Sequence, residues 1–167
     1  MKNTENKNGQ YKKKSYLSTP VGILELVEDE KGLCELNLTK TDRNENVPEE
    51  ETILLKRVKC QLLEYFSGER KQFELPLSIS GTPFQQKDWQ ALQKIPYGET
   101  RSYGEIARDI GCPNGARAVG MANRNNPIAI IIPCHRVIGT DGKLTGYAGK
   151  RNALDIKEYL LKLEGVL

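Results

Sequence analysis

Ser102-Tyr103-Gly104-Glu105-Ile106-Ala107, Gly111-Cys112-Pro113-Asn114 and Gly115-Ala116-Arg117-Ala118-Val119-Gly120-Met121-Ala122-Asn123 follow one another closely in this chain. Ser102 and Glu105 have the spacing of a capping box, in which a hydroxyl and a carboxylate satisfy each other's helix-end amides. They open a short helix that Gly111 ends. Pro113 and Asn114 start a second helix running to about Asn123, because proline suits the first turn, where no amide partner is needed. Two short helices about a Gly-Cys-Pro turn read as a helix-turn-helix. On the second helix Gly115, Ala118 and Ala122 are small, while Arg117 and Arg124 lie seven apart on one side. Such a helix can press against a groove while its arginines reach phosphates or bases. A packed internal helix with solvated arginines fits the same pattern.

Upstream, Thr82-Pro83-Phe84-Gln85 combines an N-cap, an N1 proline and another capping box. Phe84, Ala91, Leu92 and Ile95 form the apolar stripe of that helix, and Pro96-Tyr97-Gly98 stops it. Residues 78–81 are the expected linker, between a structural domain at 15–77 and a second domain at 82–167. In the first domain Ser15–Ser18, Val21–Val27 and Leu33–Thr39 read as an antiparallel meander. A helix is expected from Pro48 to about Phe66, with Glu49, Glu50 and Glu51 at its dipole-positive end. Phe73, Leu75 and Leu77 alternate as one more strand, and residues 1–14 read as a disordered tail. This half shows no histidine, no phosphate loop and no metal-spaced acidic cluster.

Downstream, Ile128-Ala129-Ile130-Ile131-Ile132 is β-branched and bounded by prolines, which predicts a buried extended segment. It delivers Cys134 and His135, the single histidine of the chain. A buried free cysteine is commonly just a small hydrophobe, and a buried histidine just a satisfied one. Their adjacency weighs against that reading, because both would sit in one polar cluster behind an apolar strand. On an extended backbone neighbours point apart, so His135 is expected to act on the thiol through one water. The imidazole then needs a partner on its other nitrogen. The last helix, about Ala153 to Glu164, offers Glu158 at the flank of a buried face made by Ala153, Ile156, Leu160 and Leu163. The glycine-rich stretch Gly139–Gly149 lacks phosphate-loop spacing and suits backbone contact with a planar ligand.

The 167 residues have a net charge of +3 and are 38% apolar and 28% charged, as in an ordinary globular protein. Lys and Arg number 13 against 14 acidic residues over 1–80, but 12 against 8 over 81–167, so the second half is the one to meet a polyanion. No apolar stretch spans a bilayer and Met1–Gln10 is polar, which argues against a membrane or secreted protein and for reduced thiols in a cytoplasm. Four cysteines without C-x-x-C spacing and one histidine predict no metal, and no cofactor is expected.

Pro133-Cys134-His135-Arg136-Val137 resembles the active-site signature of the O6-alkylguanine-DNA alkyltransferases. Gly81-Thr82-Pro83-Phe84-Gln85, Ser102–Ala107, Ala116–Gly120, Asn126-Pro127-Ile128 and Gly146-Tyr147-Ala148-Gly149 follow in the family's order. The resemblance covers residues 81–167 closely. It implies an α+β protein of two domains: an N-terminal RNase H-like antiparallel sheet with a helix, and a C-terminal helix-turn-helix domain of winged-helix type. It implies irreversible, single-turnover transfer of an alkyl group from O6-alkylguanine in double-stranded DNA to the Cys134 thiolate, after base flipping from the minor groove. His135, a water and Glu158 would generate the thiolate. Tyr103 would help rotate the nucleotide and protonate the departing guanine, and Asn126 would act as a hinge. Arg117 would enter the base stack, with Ala118, Ala122 and Arg124 beside it on the DNA-binding helix. Tyr147, Ala148 and Gly149 would line the base pocket. The protein would be a monomer. Two features depart from the family's pattern: Lys150–Asp155 is longer than usual, and Asp88 stands where an apolar residue is more common. The alternatives are a non-catalytic sensor of alkylated bases and a cysteine hydrolase, the latter disfavoured by the adjacency of Cys134 and His135.

Overall fold

The computed structural model describes residues 11–38, 44–144 and 153–167, with the side chains of 153 and 154 left aside. The chain divides into two compact units, Met1–Ile79 and Ser80–Leu167. No helix among the described residues is long and apolar enough to cross a membrane.

The first unit is a three-stranded antiparallel meander: β1 (Lys12–Thr19), β2 (Gly22–Asp29) and β3 (Leu33–Asn37), in the order β1-β2-β3. The β2–β3 turn closes on Asp29, whose Oδ1 accepts from the amides of Lys31 at 2.8 Å and Gly32 at 3.1 Å. Gly32 is required there, because a Cβ would collide with the Pro76 carbonyl. Helix α1 (Ile53–Phe66) sets Leu55, Val58, Leu62 and Tyr65 into a core shared with Leu24, Leu26, Leu33 and Leu36.

Three expectations for this unit are corrected. Lys12–Lys14, expected in a disordered tail, belong to β1: they pair with Val27–Asp29, and the buried Lys14 ammonium donates to the Asn44 carbonyl at 2.7 Å, while the rest of that stretch up to residue 10 lies outside the described residues. A backbone can pair whatever its side chains, so a lysine run beside a satisfied partner still forms a strand. Helix α1 starts at Ile53, not Pro48, because Thr52 is the cap, its hydroxyl accepting from Leu55 N at 3.0 Å. Pro48–Glu50 instead run beside β1, with Lys14 N bonded to Pro48 O at 3.0 Å and Glu50 N to Lys14 O at 2.9 Å. The alternation at Phe73–Leu77 yields only a parallel bridge of Leu77 to Leu33.

In the second unit both capping boxes form as the spacing predicts. Thr82 and Gln85 open α2 (Pro83–Gln93), and Ser102 and Glu105 open α3 (Tyr103–Asp109). Gly111, at φ +79°, ends the α3 turn, and α4 (Ala116–Arg124) follows. Helix α4 begins at Ala116 because residues 112–115 close a separate turn, with Gly115 N on Cys112 O at 2.8 Å. Trp89 of α2 is buried and donates its indole N–H to the Ala122 carbonyl of α4 at 3.0 Å. Strands β4 (Arg101–Ser102) and β5 (Val137–Ile138) pair in parallel, β5 directly follows a 3-10 turn at Cys134–Arg136, and α5 (Ala153–Leu163) packs against that turn.

The isoleucine run is buried, as expected, but not extended. Ile131 N bonds Ala129 O at 2.8 Å, Ile132 N bonds Ile128 O at 3.0 Å, and Ile130 sits at φ +72°. A left-handed β-branched residue costs of order 1–3 kcal/mol and persists only where its surroundings over-determine it. Here the segment coils tightly before Cys134.

Candidate active site

Cys134 and His135 lie on consecutive positions of the 3-10 turn, about a third of a turn apart. The divergence expected of an extended backbone therefore arises from a tight helical turn instead. Cys134 is 3% exposed, and its sulfur accepts from Asn126 Nδ2 at 3.1 Å. The same amide nitrogen donates to Ile132 O at 2.8 Å, and Asn126 Oδ1 accepts from Ile128 N at 3.0 Å. Asn126 thus pins both ends of the isoleucine coil and the thiol with one side chain. Burial pushes the thiol up to about 11, opposed by the Asn126 hydrogen bond and the Lys157 charge and reinforced by the Asp88 carboxylate. At neutral pH the resting sulfur is a thiol.

The carboxylate behind His135 is Glu164, not Glu158. His135 Nε2 lies 2.6 Å from Glu164 Oε2, and the other oxygen, Oε1, accepts from Arg136 Nε at 2.7 Å. Both side chains of the His–Glu pair are fully buried. Burial raises a carboxyl, but the bonds to His135 and Arg136 overcome it and hold Glu164 at about 2. Burial lowers the imidazole, with Glu164 pulling the other way. A carboxylate on Nε2 assigns the proton there, which leaves Nδ1 as the basic nitrogen. Arg136 also donates to Ile95 O at 2.7 Å and stacks 5.8 Å from the Tyr97 ring, so the network is locked to the end of α2.

Glu158 is half exposed and pairs with Lys162 one turn on, at 3.1 Å. The buried face of α5 and its C-terminal extension is Lys157, Leu160, Leu161 and Glu164. Glu164 follows Leu160 by four residues and so continues the apolar stripe; that spacing was the available signal.

Lys157 is the other residue that sequence reading missed. It is buried, bonds the Val137 carbonyl at 2.5 Å, and lies 5.8 Å over the Tyr103 ring. Burial brings its ammonium down to about 8, with Cys134 pulling the other way. Tyr103, at the start of α3, packs under Gly120 of α4, where an added Cβ would lie 3.9 Å from the ring. Lys157 therefore brings Tyr103 and Cys134 into one electrostatic neighbourhood.

On α4, Arg117, Ala118 and Arg124 are exposed on the outward face, and Met121 joins them. Ala122 is buried at 3% exposure against Trp89, so its expected place on the DNA-binding face is corrected. Its spacing matched the small-residue pattern, but the phase of the helix turns it inward. Tyr147, Ala148 and Gly149 lie outside the described residues. Among the described residues no group of three or more His, Cys, Asp or Glu is placed to hold a metal ion.

Residues 83–166 match the family described as "6-O-methylguanine DNA methyltransferase, DNA binding domain". Residues 12–79 match "6-O-methylguanine DNA methyltransferase, ribonuclease-like domain". The chain is 53% identical over 150 residues to a methylated-DNA–protein-cysteine methyltransferase of Methanosarcina acetivorans, covering 88% of this chain and 94% of that one. It is 50% identical over 154 residues to the constitutive methylated-DNA–protein-cysteine methyltransferase of Bacillus subtilis, covering 89% and 92%. The crystal structure of the Mycobacterium tuberculosis O6-methylguanine methyltransferase is similar at a TM-score of 0.84 and 45% identity, over 92% of each chain. A Mycobacterium tuberculosis OGT crystallised in complex with DNA is similar at a TM-score of 0.82 and 46% identity, over 92% of this chain and 91% of that one.

Proposed function

The chain belongs to the 6-O-methylguanine DNA methyltransferase family, and from that premise we propose that it repairs DNA by moving an alkyl group from O6 of guanine onto Cys134. The observation that carries this reading is the relay of a buried thiol, an adjacent imidazole and a buried carboxylate at 2.6 Å.

The steps follow from the groups present. Burial keeps the resting sulfur protonated, so activation coincides with attack. The thiol proton passes to His135 Nδ1 through one water, while the Glu164 carboxylate stabilises the imidazolium, as in other carboxylate-oriented imidazole bases. The sulfur displaces guanine O6 at the alkyl carbon: the S–C bond forms and the C–O6 bond breaks. The guanine anion takes a proton from the Tyr103 hydroxyl, on a ring 5.8 Å from the Lys157 ammonium, and the proton held by the His135 imidazolium returns through solvent to the tyrosinate. The products are a thioether and an ordinary guanine. A thioether has no easy hydrolysis route, so each chain acts once.

The substrate base is unreachable inside a duplex and must be extruded at a cost of a few kcal/mol. The outward face of α4 suits that task in the minor groove: Ala118 allows close approach, and Arg117 fills the vacated stack. The DNA complex of the Mycobacterium tuberculosis relative supports DNA as the partner. Relatives named methyltransferases favour catalysis over a non-catalytic sensor of alkylated bases.

The test is intact-mass measurement after incubation with a duplex carrying one O6-methylguanine. One methyl is expected on the peptide containing Cys134, with no turnover beyond one equivalent. DNA bound without a mass change would refute the transfer reaction. Arg117→Ala is expected to slow transfer from duplex DNA by roughly tenfold or more, since part of the extrusion cost is no longer offset. Transfer from free O6-benzylguanine should change little. Equal slowing of both substrates would remove Arg117 from the stack-filling role.

A further inference from the structure

Asp88 is a fully buried carboxyl that the steps above do not use. It sits on α2 and faces α4. With its amide nitrogen toward the carboxyl, Asn123 donates to Asp88 Oδ2 at 2.6 Å and to Val119 O at 3.2 Å. One residue on, Trp89 holds the Ala122 carbonyl at 3.0 Å. Two neighbouring α2 side chains therefore grip the last turn of α4, three residues before Asn126, whose amide bonds the Cys134 sulfur. α2 also packs against the 3-10 turn that carries Cys134.

An apolar residue at position 88 would fill the same space without burying an ionisable group. A carboxyl costs far more to bury, and the partner that reaches it is a neutral amide rather than a cation. What it adds is charge. Ionised, it raises the thiol's pKa; protonated, it does not. Burial pushes the Asp88 carboxyl up to about 7, and the Asn123 amide that donates to it pulls it back toward the ordinary carboxyl range. We propose that Asp88 is a positioning residue of the transfer reaction, which holds α4 through Asn123 and sets, by its own protonation state, how readily the Cys134 thiol ionises.

Other charges share this neighbourhood. Lys157 of α5 favours the thiolate, and His135, Arg136 and Glu164 form their own network beside it. Glu105, Arg108 and Asp109 of α3 and Arg117 and Arg124 of α4 are exposed, where water screens them. Asp88 is the buried acid that acts on the sulfur from the α2 side.

The proposal rests on Cys134 being the alkyl acceptor, and its test keeps the two apart. The full chain and its Asp88→Asn variant are treated with iodoacetamide from pH 5 to 9, and modification of the Cys134 peptide is timed by mass. As the pH falls Asp88 takes up its proton, so the two rates should converge toward the acid end. At pH 9 the variant lacks an opposing charge. Its thiol ionises more readily, and the gain in thiolate outweighs the weaker nucleophilicity that accompanies it, so modification should be roughly threefold faster. Asn123→Ala removes the amide that stabilises the carboxylate, so the wild-type break in the pH profile should move to higher pH. A rate ratio that stays constant from pH 5 to 9, or a break unmoved in Asn123→Ala, overturns the proposal. Benzyl transfer from O6-benzylguanine is run in parallel on the wild type. If no benzyl reaches Cys134 at any pH, the functional reading fails instead, whatever the iodoacetamide profiles show.

Discussion

Glu164→Gln is expected to slow alkyl transfer by about 10² to 10⁴, the range seen when an imidazole base loses its orienting carboxylate. The amide keeps the shape but not the charge. It cannot stabilise an imidazolium, and it can present its NH₂ to Nε2, which moves the proton to Nδ1 and blocks the basic nitrogen. The same change leaves Arg136 buried without a counter-charge. Breaking a buried pair in this way costs about 3 kcal/mol, or roughly 6–12 °C in Tm for a chain this size. Single-turnover kinetics with O6-benzylguanine and thermal unfolding measure the two effects separately. Glu158→Gln is the matched control. It removes one exposed i,i+4 pair with Lys162, worth about 0.3–0.5 kcal/mol, and should leave transfer unchanged. If Glu158→Gln were the slow variant, the relay described above would be wrong.

The carboxylate also fixes a pH dependence of stability. Glu164 titrates at about 2 in the fold against an ordinary 4.5, so the folded state binds its proton less tightly than the unfolded chain. That contribution, about 3 kcal/mol, is fully present above pH 4.5 and is lost as pH falls toward 2. Denaturant unfolding at pH 7 and pH 3 should show the difference in the wild type and a smaller one in Glu164→Gln.

Cys134→Ser is expected to abolish transfer altogether. A serine hydroxyl ionises far less readily than a thiol, and a neighbouring imidazole cannot make up the gap for attack at a saturated carbon. The variant should still bind DNA, because the outward face of α4 is untouched. Intact mass should stay constant through prolonged incubation with an O6-methylguanine duplex, while gel mobility shifts persist. A methyl appearing on any other residue would displace Cys134 as the acceptor.

Much of the second unit was legible because its signals are local. A capping box needs only residues three apart, and Thr82–Gln85 and Ser102–Glu105 both form. Cys134 and His135 were legible by adjacency. Glu164 and Lys157 were not, for a physical reason: an apolar stripe gives the phase of a helix but not which polar residues are buried beside it. Both sit on the buried face with Leu160 and Leu161, and their partners, His135 and the Val137 carbonyl, lie at least twenty residues away. The isoleucine run misled in another way. β-branched residues favour strands, but Asn126 satisfies the backbone at both ends of the coil and overrides that preference. Lys12–Lys14 misled because pairing with β2 depends on the backbone, which composition does not report.

Trp89 is the single tryptophan of the chain, and its indole N–H is bonded to the backbone of α4. Any tilt of that helix when nucleic acid docks strains or breaks this contact at the fluorophore itself. The protein therefore carries an intrinsic optical probe of its own engagement. Emission followed in a stopped-flow mixer reads α4 directly, without a label and on the unmodified chain.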